Sequence, residues 1–238
     1  MTQTTVPVIF DLDGTLVDPA GGITGGISAA LGEMGLPVPE QSVLDAMVGP
    51  KLSDSLQHMA MVPGDLVDET IGRYRAHYRA TGIAQSKLYP GIRALLEFFA
   101  ESRRPVAVAT QKPQGIARLV LEHHGIDTFF VSIRGASDDE SVAANSAPGK
   151  IEIVGAALAD LRSQPAVMVG DRHQDVAGAM ANGLDCIGVS WGFAPDGELE
   201  EAGAVAIVKT AVELRKKIEE LDAVRAAALS EVRNDGAV

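Results

Sequence analysis

The sequence contains a single cysteine, Cys186, among 238 residues, which excludes an internal disulfide framework. It lacks an apolar run near the roughly 20 residues that a membrane-spanning helix requires. Basic residues are also few, because 20 Lys and Arg stand against 32 Asp and Glu and give a net charge of −12. This balance disfavours non-specific binding to nucleic acid and contact with anionic membranes. An anionic substrate would therefore need a locally positive site.

The amino terminus lacks the basic flank and apolar segment of a signal peptide, which predicts a cytoplasmic protein. Apolar residues make up 46% of the chain and charged residues 22%, the composition of an ordinary globular protein. The length is sufficient for one sizeable core, or for a core domain with an insert.

Strand-like and helix-like patterns alternate through the second half of the chain. Strands are predicted at 106–110, 129–133, 166–169, 186–189 and 205–208. Helices are predicted at 91–102, 113–124, 150–162, in a short stretch ending at Ala181, and at 211–233. This alternation predicts an α/β fold with a doubly wound parallel sheet. The run from Val6 to Phe10 would supply its first strand, and residues 135–149 are predicted to form a loop.

A polar, helical stretch with several prolines separates the first strand from this alternating region. We therefore predict a Rossmann-like core of residues 1–17 and 89–215, with residues 18–88 inserted as a helical domain. Residues 216–238 are predicted to form a C-terminal helical extension. Leu214, Ile218 and Leu221 share one side of the last helix. Packing of this side on the chain's own core is the simplest interpretation, and both a monomer and a homodimer remain open.

Polar side chains follow several of the predicted strands. Asp11 and Asp13 come after the first strand and Thr110 after the second. Asp171 ends a later strand, and Asp175 lies four residues further on, one turn along if a helix begins there. Ligands of doubly wound sheets bind at the carboxyl ends of the strands. The sequence therefore predicts that these groups, with Lys150 after the 135–149 loop, converge at one edge.

These residue types suit phosphate chemistry. Carboxylates that share an edge raise each other's pKa unless a cation binds, and a hard ion such as Mg2+ prefers oxygen ligands. One carboxylate could act as a nucleophile and a second as a general acid and base. Thr110 and Lys150 supply a hydroxyl donor and a positive charge for phosphoryl oxygens. Gly14 would allow a tight turn whose amides face an anion.

Four segments in this order resemble the motifs of the haloacid dehalogenase superfamily. They are Asp11-Leu12-Asp13-Gly14-Thr15, Thr110, Lys150, and Gly170-Asp171-Arg172-His173-Gln174-Asp175. The segments Val48-Gly49-Pro50, Leu88-Tyr89-Pro90-Gly91 and Gly188-Val189-Ser190-Trp191-Gly192 are similar to the phosphoglycolate phosphatase-like branch. The resemblance spans roughly residues 6 to 215, and it implies that residues 18–88 form a cap domain over the site.

The resemblance implies a role for each matching position. Asp11 would be the nucleophile and a metal ligand, and Asp13 the general acid and base, whose backbone carbonyl also binds the metal. Asp171 would be the third protein contact to Mg2+. Thr110 and Lys150 would hold the phosphoryl group, together with Gln111 on the substrate side. Asp175 would bind the metal directly, bind it through water, or only orient its neighbours.

Two positions depart from the family pattern or leave a choice. Gln111 follows Thr110 where asparagine is commoner, so its longer amide could shift a substrate contact. The lysine of the third motif could be Lys112 or Lys150. A position at the start of a helix, before the strand that carries Asp171, favours Lys150.

The resulting prediction is a Mg2+-dependent phosphatase that acts on a small phosphorylated metabolite through an aspartyl-phosphate on Asp11. An aspartate at position 13 favours phosphate esters, because an oxygen leaving group needs a proton. Phosphoglycolate, nucleoside monophosphates and sugar phosphates all remain open as substrates. Two alternatives also remain. One is a phosphotransferase of the β-phosphoglucomutase or tyrosine kinase type that uses the same nucleophile, and the other is a non-catalytic binding protein.

Overall fold

The computed structural model describes residues 5–137, 149–162 and 166–235, with side chains to Ala227. The strands are β1 (Val8–Phe10), β2 (Val17–Asp18), β3 (Lys87–Leu88), β4 (Val106–Pro113), β5 (Ser132–Ala136), β6 (Val167–Gly170), β7 (Asp185–Val189) and β8 (Ala206–Val208). The helices are α1 (Gly22–Glu33), α2 (Gln41–Ala46), α3 (Leu52–His58), α4 (Val67–His77), α5 (Ile83–Gln85), α6 (Ile92–Glu101), α7 (Gln114–His123), α8 (Lys150–Leu161), α9 (His173–Ala181), α10 (Glu198–Ala202) and α11 (Ala211–Asp235). None of the described helices is both long and apolar enough to cross a membrane.

Six strands form one parallel sheet in the order β5-β4-β1-β6-β7-β8. The central strand β1 pairs on both sides, and Val8 lies opposite Val106 on one neighbour and Val167 on the other. The predicted doubly wound α/β fold is confirmed. Chain order reverses beside β1, and a sheet of this type opens a crevice for ligands at such a switch point.

Alternating side chains of the strands enter two separate apolar layers. Val8 and Phe10 belong to a layer that also contains Leu96 of α6 and Val120 of α7. Ile9 points to the opposite layer, which contains Val154 of α8. Because both faces are covered by helices, the strands are buried and the ends of the strands are the accessible part of the sheet.

Some predicted boundaries in the sheet are wrong. The strand predicted at 129–133 begins at Ser132, because Asp127–Phe129 forms a 3-10 turn first. It also runs through Ala136, so the predicted loop is wrong at its first two residues, while positions 138–148 of that loop lie outside the described residues. β4 similarly continues to Pro113, where it pairs with Ala136. Pairing between neighbours sets these ends, and a single segment of sequence does not contain that information.

The helices α1 to α5 lie between β2 and β3, two short strands that pair antiparallel, with Val17 opposite Leu88. Ile27, Leu31 and Leu56 are fully buried among these helices and belong to the same apolar layer as Val8. A five-residue π-helical segment, Tyr78–Gly82, extends α4 and buries Tyr78. The apolar interior of the insertion is therefore continuous with one layer of the sheet, and a two-stranded connection joins the two parts.

The last helix, α11, is continuous from Ala211 to Asp235 and so crosses residue 215, where the extension was predicted to start. Leu214 and Ile218 are fully buried against the sheet layer that contains Val8. This packing uses the apolar side of the helix that the sequence indicated.

Candidate active site

Asp11 and Asp13 lie in the turn that follows the central strand, and both are buried. The Asp11 N–H donates to the Val169 carbonyl at 2.9 Å, which continues the pairing with β6 for one more residue. Gly14 then takes a φ of +87°, and a side chain there would overlap the Asp171 carboxylate. Only glycine combines this backbone conformation with such a close approach. The turn therefore brings the Asp11–Asp13 segment directly against Asp171.

Three carboxylates form a compact buried cluster beyond the ends of β1 and β6. One oxygen from each of Asp11, Asp171 and Asp175 lies within 4.8 Å of the others. Asp171 is held by the Thr15 hydroxyl at 3.0 Å and by the Phe193 N–H at 2.8 Å. Burial, and then the charges of Asp175 and Asp11, raise the pKa of Asp171 well above its usual value. The crowding of three buried carboxylates concentrates negative charge that a cation would neutralise.

Lys150, the first residue of α8, lies between two of these carboxylates. Its ammonium is 2.7 Å from Asp11 Oδ1 and 2.5 Å from Asp175 Oδ1. Its own pKa is raised, because Asp11 and Asp175 more than offset the effect of burial. Its order in the chain and its position at the start of a helix favoured Lys150 over Lys112 as the lysine of the third motif, and the structure places the Lys150 ammonium beside Asp11.

Asp175 bonds to neighbouring backbone as well as to Lys150. Its Oδ2 accepts the N–H groups of Asp171 and Arg172, both at 3.0 Å, and so caps the start of α9. Burial is the largest influence on the pKa of Asp175, which is raised to about 6 although Lys150 acts in the opposite direction. Asp175 thus orients both the turn of Asp171 and the ammonium of Lys150.

Lys112, the other candidate for the third-motif lysine, also lies in the site, where it contacts Asp13 rather than Asp11. Its ammonium is 2.6 Å from Asp13 Oδ2, and both side chains are less than a tenth exposed. The same ammonium lies 4.4 Å from the centre of the Tyr78 ring, on the insertion. Residues two apart in an extended segment share a face, so the spacing of Lys112 from Thr110 was the signal that could have placed both side chains at this edge.

Thr110 is buried at the same edge, and its hydroxyl accepts the Lys112 N–H at 3.2 Å. Gln111, expected on the substrate side, lines the cavity described below and donates from Nε2 to the Gly49 carbonyl of the insertion at 3.0 Å. Arg172, to which the sequence gave no role, donates from Nη1 to the Val48 carbonyl at 2.7 Å. Both side chains therefore connect the sheet edge to one loop of the insertion.

A cavity of about 430 Å³ lies between the sheet edge and the insertion. Asp11, Asp13 and Thr110 form part of its floor. The insertion contributes mainly apolar lining residues together with two cations, Lys51 and Arg75. The remaining lining residues from the insertion are Ile23, Met47, Val48, Gly49, Pro50, Leu52, Ser53, Gln57, Gly64, Val67, Asp68, Ile71 and Tyr74. The candidate nucleophile and acid thus face an enclosed space that can hold a substrate.

The residues present fit a hard divalent cation. The candidate ligands are all oxygens, as such an ion prefers, and the Asp11–Asp171–Asp175 cluster is wholly buried. Asp13 Oδ1 is also buried and has no hydrogen-bond partner within the described part of the chain. Burial, partly offset by Lys112, raises the pKa of Asp13, which suits a group that must hold a proton at some stage of a reaction.

Fold and site together define a class of α/β enzyme in which buried carboxylates cluster beyond the end of the central strand. The family model described as "Haloacid dehalogenase-like hydrolase" matches residues 8–189, and the chain belongs to this family. The prediction of an enzyme from this superfamily is confirmed.

Named relatives indicate the branch of the family to which the chain is similar. The chain is 40% identical to "Tyrosine-protein kinase PtkA" of Mycobacterium tuberculosis over 89% of its own length and 72% of the relative's. It is 34% identical to a 5'-nucleotidase of Pseudomonas aeruginosa over 81% and 86% of the two chains. A phosphoglycolate phosphatase of Yersinia pestis is 30% identical over 78% and 81%. These similarities confirm the phosphoglycolate phosphatase-like branch.

A solved structure shows the same architecture. The crystal structure titled "a predicted phosphatase from Clostridium acetobutylicum" superposes with a TM-score of 0.82 at 36% identity. The match covers 91% of this chain and 99% of that one. The similarity therefore includes the helical insertion as well as the sheet.

Proposed function

We propose that this protein hydrolyses small phosphomonoesters, with Asp11 as nucleophile, Asp13 as general acid and base, and Mg2+ as cofactor. The observation that carries this proposal is the pair of carboxylates at the end of β1, which face one cavity and are each paired with a different buried lysine. The 5'-nucleotidase and phosphoglycolate phosphatase relatives support the reaction class.

The proposed reaction has two steps. An Asp11 carboxylate oxygen attacks phosphorus, the bond from phosphorus to the ester oxygen breaks, and that oxygen takes the electron pair and a proton from Asp13. Water then attacks phosphorus as Asp13 takes its proton, and the bond from phosphorus to Asp11 breaks, which releases phosphate and restores the Asp11 carboxylate and the protonated Asp13.

The neighbouring side chains hold the reacting groups. Lys150 fixes the rotamer of the Asp11 carboxylate, and Lys112 does so for Asp13. The Thr110 hydroxyl and the Lys150 ammonium are donors for phosphoryl oxygens, whose positioning and charge dominate this chemistry. Asp11, Asp171 and the backbone carbonyl of Asp13 would hold the metal, with Asp175 in direct contact or behind water. When bound, Mg2+ supplies positive charge that offsets the carboxylates and the substrate phosphate.

The proposal includes the division of the chain into a core of residues 1–17 and 89–215, a cap of 18–88 and an extension of 216–238. It is supported by the β2–β3 connection, through which the insertion joins the sheet. Closure of such a cap excludes bulk water from the cavity.

The substrate is proposed to be a phosphorylated metabolite with a leaving group larger than glycolate. A cavity of about 430 Å³, lined by both apolar and charged residues, exceeds what a two-carbon acid can fill, whereas ligand sites of a few hundred Å³ typically enclose drug-sized molecules. Nucleoside monophosphates and sugar phosphates are therefore preferred over phosphoglycolate.

The test is phosphate release from phosphoglycolate, nucleoside monophosphates and sugar phosphates, with Mg2+ or with chelator, for the wild type and Asp11→Asn. Metal-dependent release that is lost in Asp11→Asn is the expected result. A folded wild type that releases no phosphate from any ester would refute the proposal. Activity-independent evidence for the metal is a Mg2+-induced rise in Tm, which Asp171→Asn should reduce and which exposed Asp65→Asn should leave intact.

A phosphotransferase is the second candidate, because the relative that is 40% identical is named a tyrosine-protein kinase. In that case Asp11 would pass its phosphoryl group to an alcohol or phenol rather than to water. Incubation with γ-labelled ATP and protein or sugar acceptors distinguishes the two, since transfer labels the acceptor and hydrolysis releases free phosphate.

A further inference from the structure

One loop of the insertion presents two successive backbone carbonyls to two side chains of the sheet edge. Gln111 Nε2 donates to the Gly49 carbonyl at 3.0 Å, and Arg172 Nη1 donates to the Val48 carbonyl at 2.7 Å. Gln111 directly follows Thr110, and Arg172 directly follows Asp171. We propose that Gln111 and Arg172 are positioning residues that form a two-point latch and hold the cap closed over the cavity.

Hydrogen bonds within the core also hold the Arg172 side chain. Glu198 of α10 accepts from Arg172 Nε at 2.9 Å and from Nη2 at 3.4 Å. The Glu198 oxygen that accepts from Arg172 Nε also accepts the His173 N–H at 2.9 Å. The Arg172 side chain is only 8% exposed. The guanidinium is thus already oriented in the core, so its bond to the cap loses little side-chain entropy.

Gly49 has a backbone shape that permits this contact. Its φ is +101°, and an added Cβ would lie 3.2 Å from Arg172 Cγ. A side chain would therefore strain the loop and press on the arginine. Because both acceptors are backbone carbonyls, the bonds depend on where the loop lies and not on its side chains.

Opening the cap must break both bonds. One net hydrogen bond changes an equilibrium by about two- to tenfold, and a bond from a charged donor changes it by more. Loss of the Gln111 donor should therefore shift the ratio of closed to open cap by about two- to tenfold. The latch affects turnover only if the proposed phosphatase function holds, but the latch itself can be measured without substrate.

The experiment compares Gln111→Met, which keeps the side-chain length without the donor, with Glu198→Ala, which frees the guanidinium. Glu200→Ala, at an exposed position of the same helix, is the matched control. Hydrogen exchange is measured at residues 48–56 in the ligand-free protein. Spin labels at Asp65→Cys and Glu97→Cys, exposed positions on the cap and core, report the distance between the two parts.

In both latch variants, the amide hydrogens of the loop should exchange about two- to tenfold faster than in the wild type. The distances between the two spin labels should be longer and more broadly distributed. The Glu200→Ala variant and the amides of β1 and β6 should match the wild type. In turnover assays, KM should rise by more than kcat changes. Unchanged exchange and distances in both latch variants would overturn the proposal, whether or not the protein releases phosphate. An inactive wild type with an intact exchange effect would refute only the proposed function.

Discussion

Arg104 and Asp222 form a buried ion pair, with Nη2 2.5 Å from Oδ2, that fastens the last helix to the start of the central strand. The second Asp222 oxygen accepts the Val6 N–H at 2.7 Å, and Arg104 Nη1 donates to the Val6 carbonyl at 2.6 Å. Both backbone groups of Val6 are thereby satisfied just before β1 begins. The C-terminal helix is in this way part of the support of the strand that carries Asp11.

We expect Asp222→Ala to lower the free energy of unfolding by about 3 kcal/mol, because it leaves the arginine buried without its partner. Urea unfolding monitored by circular dichroism measures this change. Glu219→Ala, which removes an exposed contact to Arg215 on the same helix, should cost less than about 0.5 kcal/mol. Equal effects of the two variants would show that the pair does not anchor the helix.

Lys112→Met should destabilise the protein by about 3 kcal/mol, because the Asp13 carboxylate would lose its buried counterion. Lys112→Arg should retain much of the stability but move the carboxylate, since a guanidinium is longer and planar. Lys217→Met, which breaks a surface contact to Glu220, is the control for loss of a lysine. Denaturant midpoints at pH 7 give the comparison, and a Lys112→Met midpoint equal to that of Lys217→Met contradicts the expectation.

Gly192→Ala should lower phosphate release by at least about tenfold, since small displacements of catalytic groups have large effects on rate. A Cβ at this position would overlap the Asp171 carboxylate and displace it. Gly25→Ala is the control, because nothing lies within 4 Å of its added Cβ in α1. That substitution should be neutral or stabilise the helix by about 0.5–1 kcal/mol. Wild-type activity in Gly192→Ala would show that catalysis does not depend on a closely fixed position of the Asp171 carboxylate.

His124 is expected to make stability decrease in mildly acidic solution. Partial burial, then the charges of His123 and Arg93, lower the pKa of His124, and its Nε2 lies 2.9 Å from Ser86 Oγ beside β3. As pH falls through about 6.5, the ordinary histidine pKa, the unfolded chain takes up a proton that the folded chain resists. Stability is therefore intact above this pH and falls below it, until the folded-state pKa is passed.

The size of this effect should stay below about 1 kcal/mol, because the imidazole is only partly buried and solvent screens its charge. His124→Gln should remove that part of the pH dependence between pH 7 and 5, while exposed His58→Gln should keep it. Thermal melts across this range provide the measurement. An identical pH profile in wild type and His124→Gln would contradict the assignment.

Much of the fold could be predicted from local pattern. Helices such as α6 and α7 follow from apolar residues at one-face spacing, and the parallel sheet follows from the alternation of strands with helices. The beginning of β5 could not, because the apolar run Phe129-Phe130-Val131 begins in a 3-10 turn, and the residue-by-residue register with β4 starts only at Ser132.

The type and order of the chemical groups follow from the amino-acid sequence alone: two aspartates after the first strand, a threonine, a lysine and two further aspartates. Residue identity and strand-end position carry that information locally. Only the tertiary structure decided which groups meet. The Lys112 ammonium contacts Asp13 because β4 continues past Thr110. Gln111 donates to the backbone carbonyl of a residue in the insertion, 62 positions away in the sequence. Such contacts depend on how the insertion lies against the sheet, which no spacing along the chain specifies.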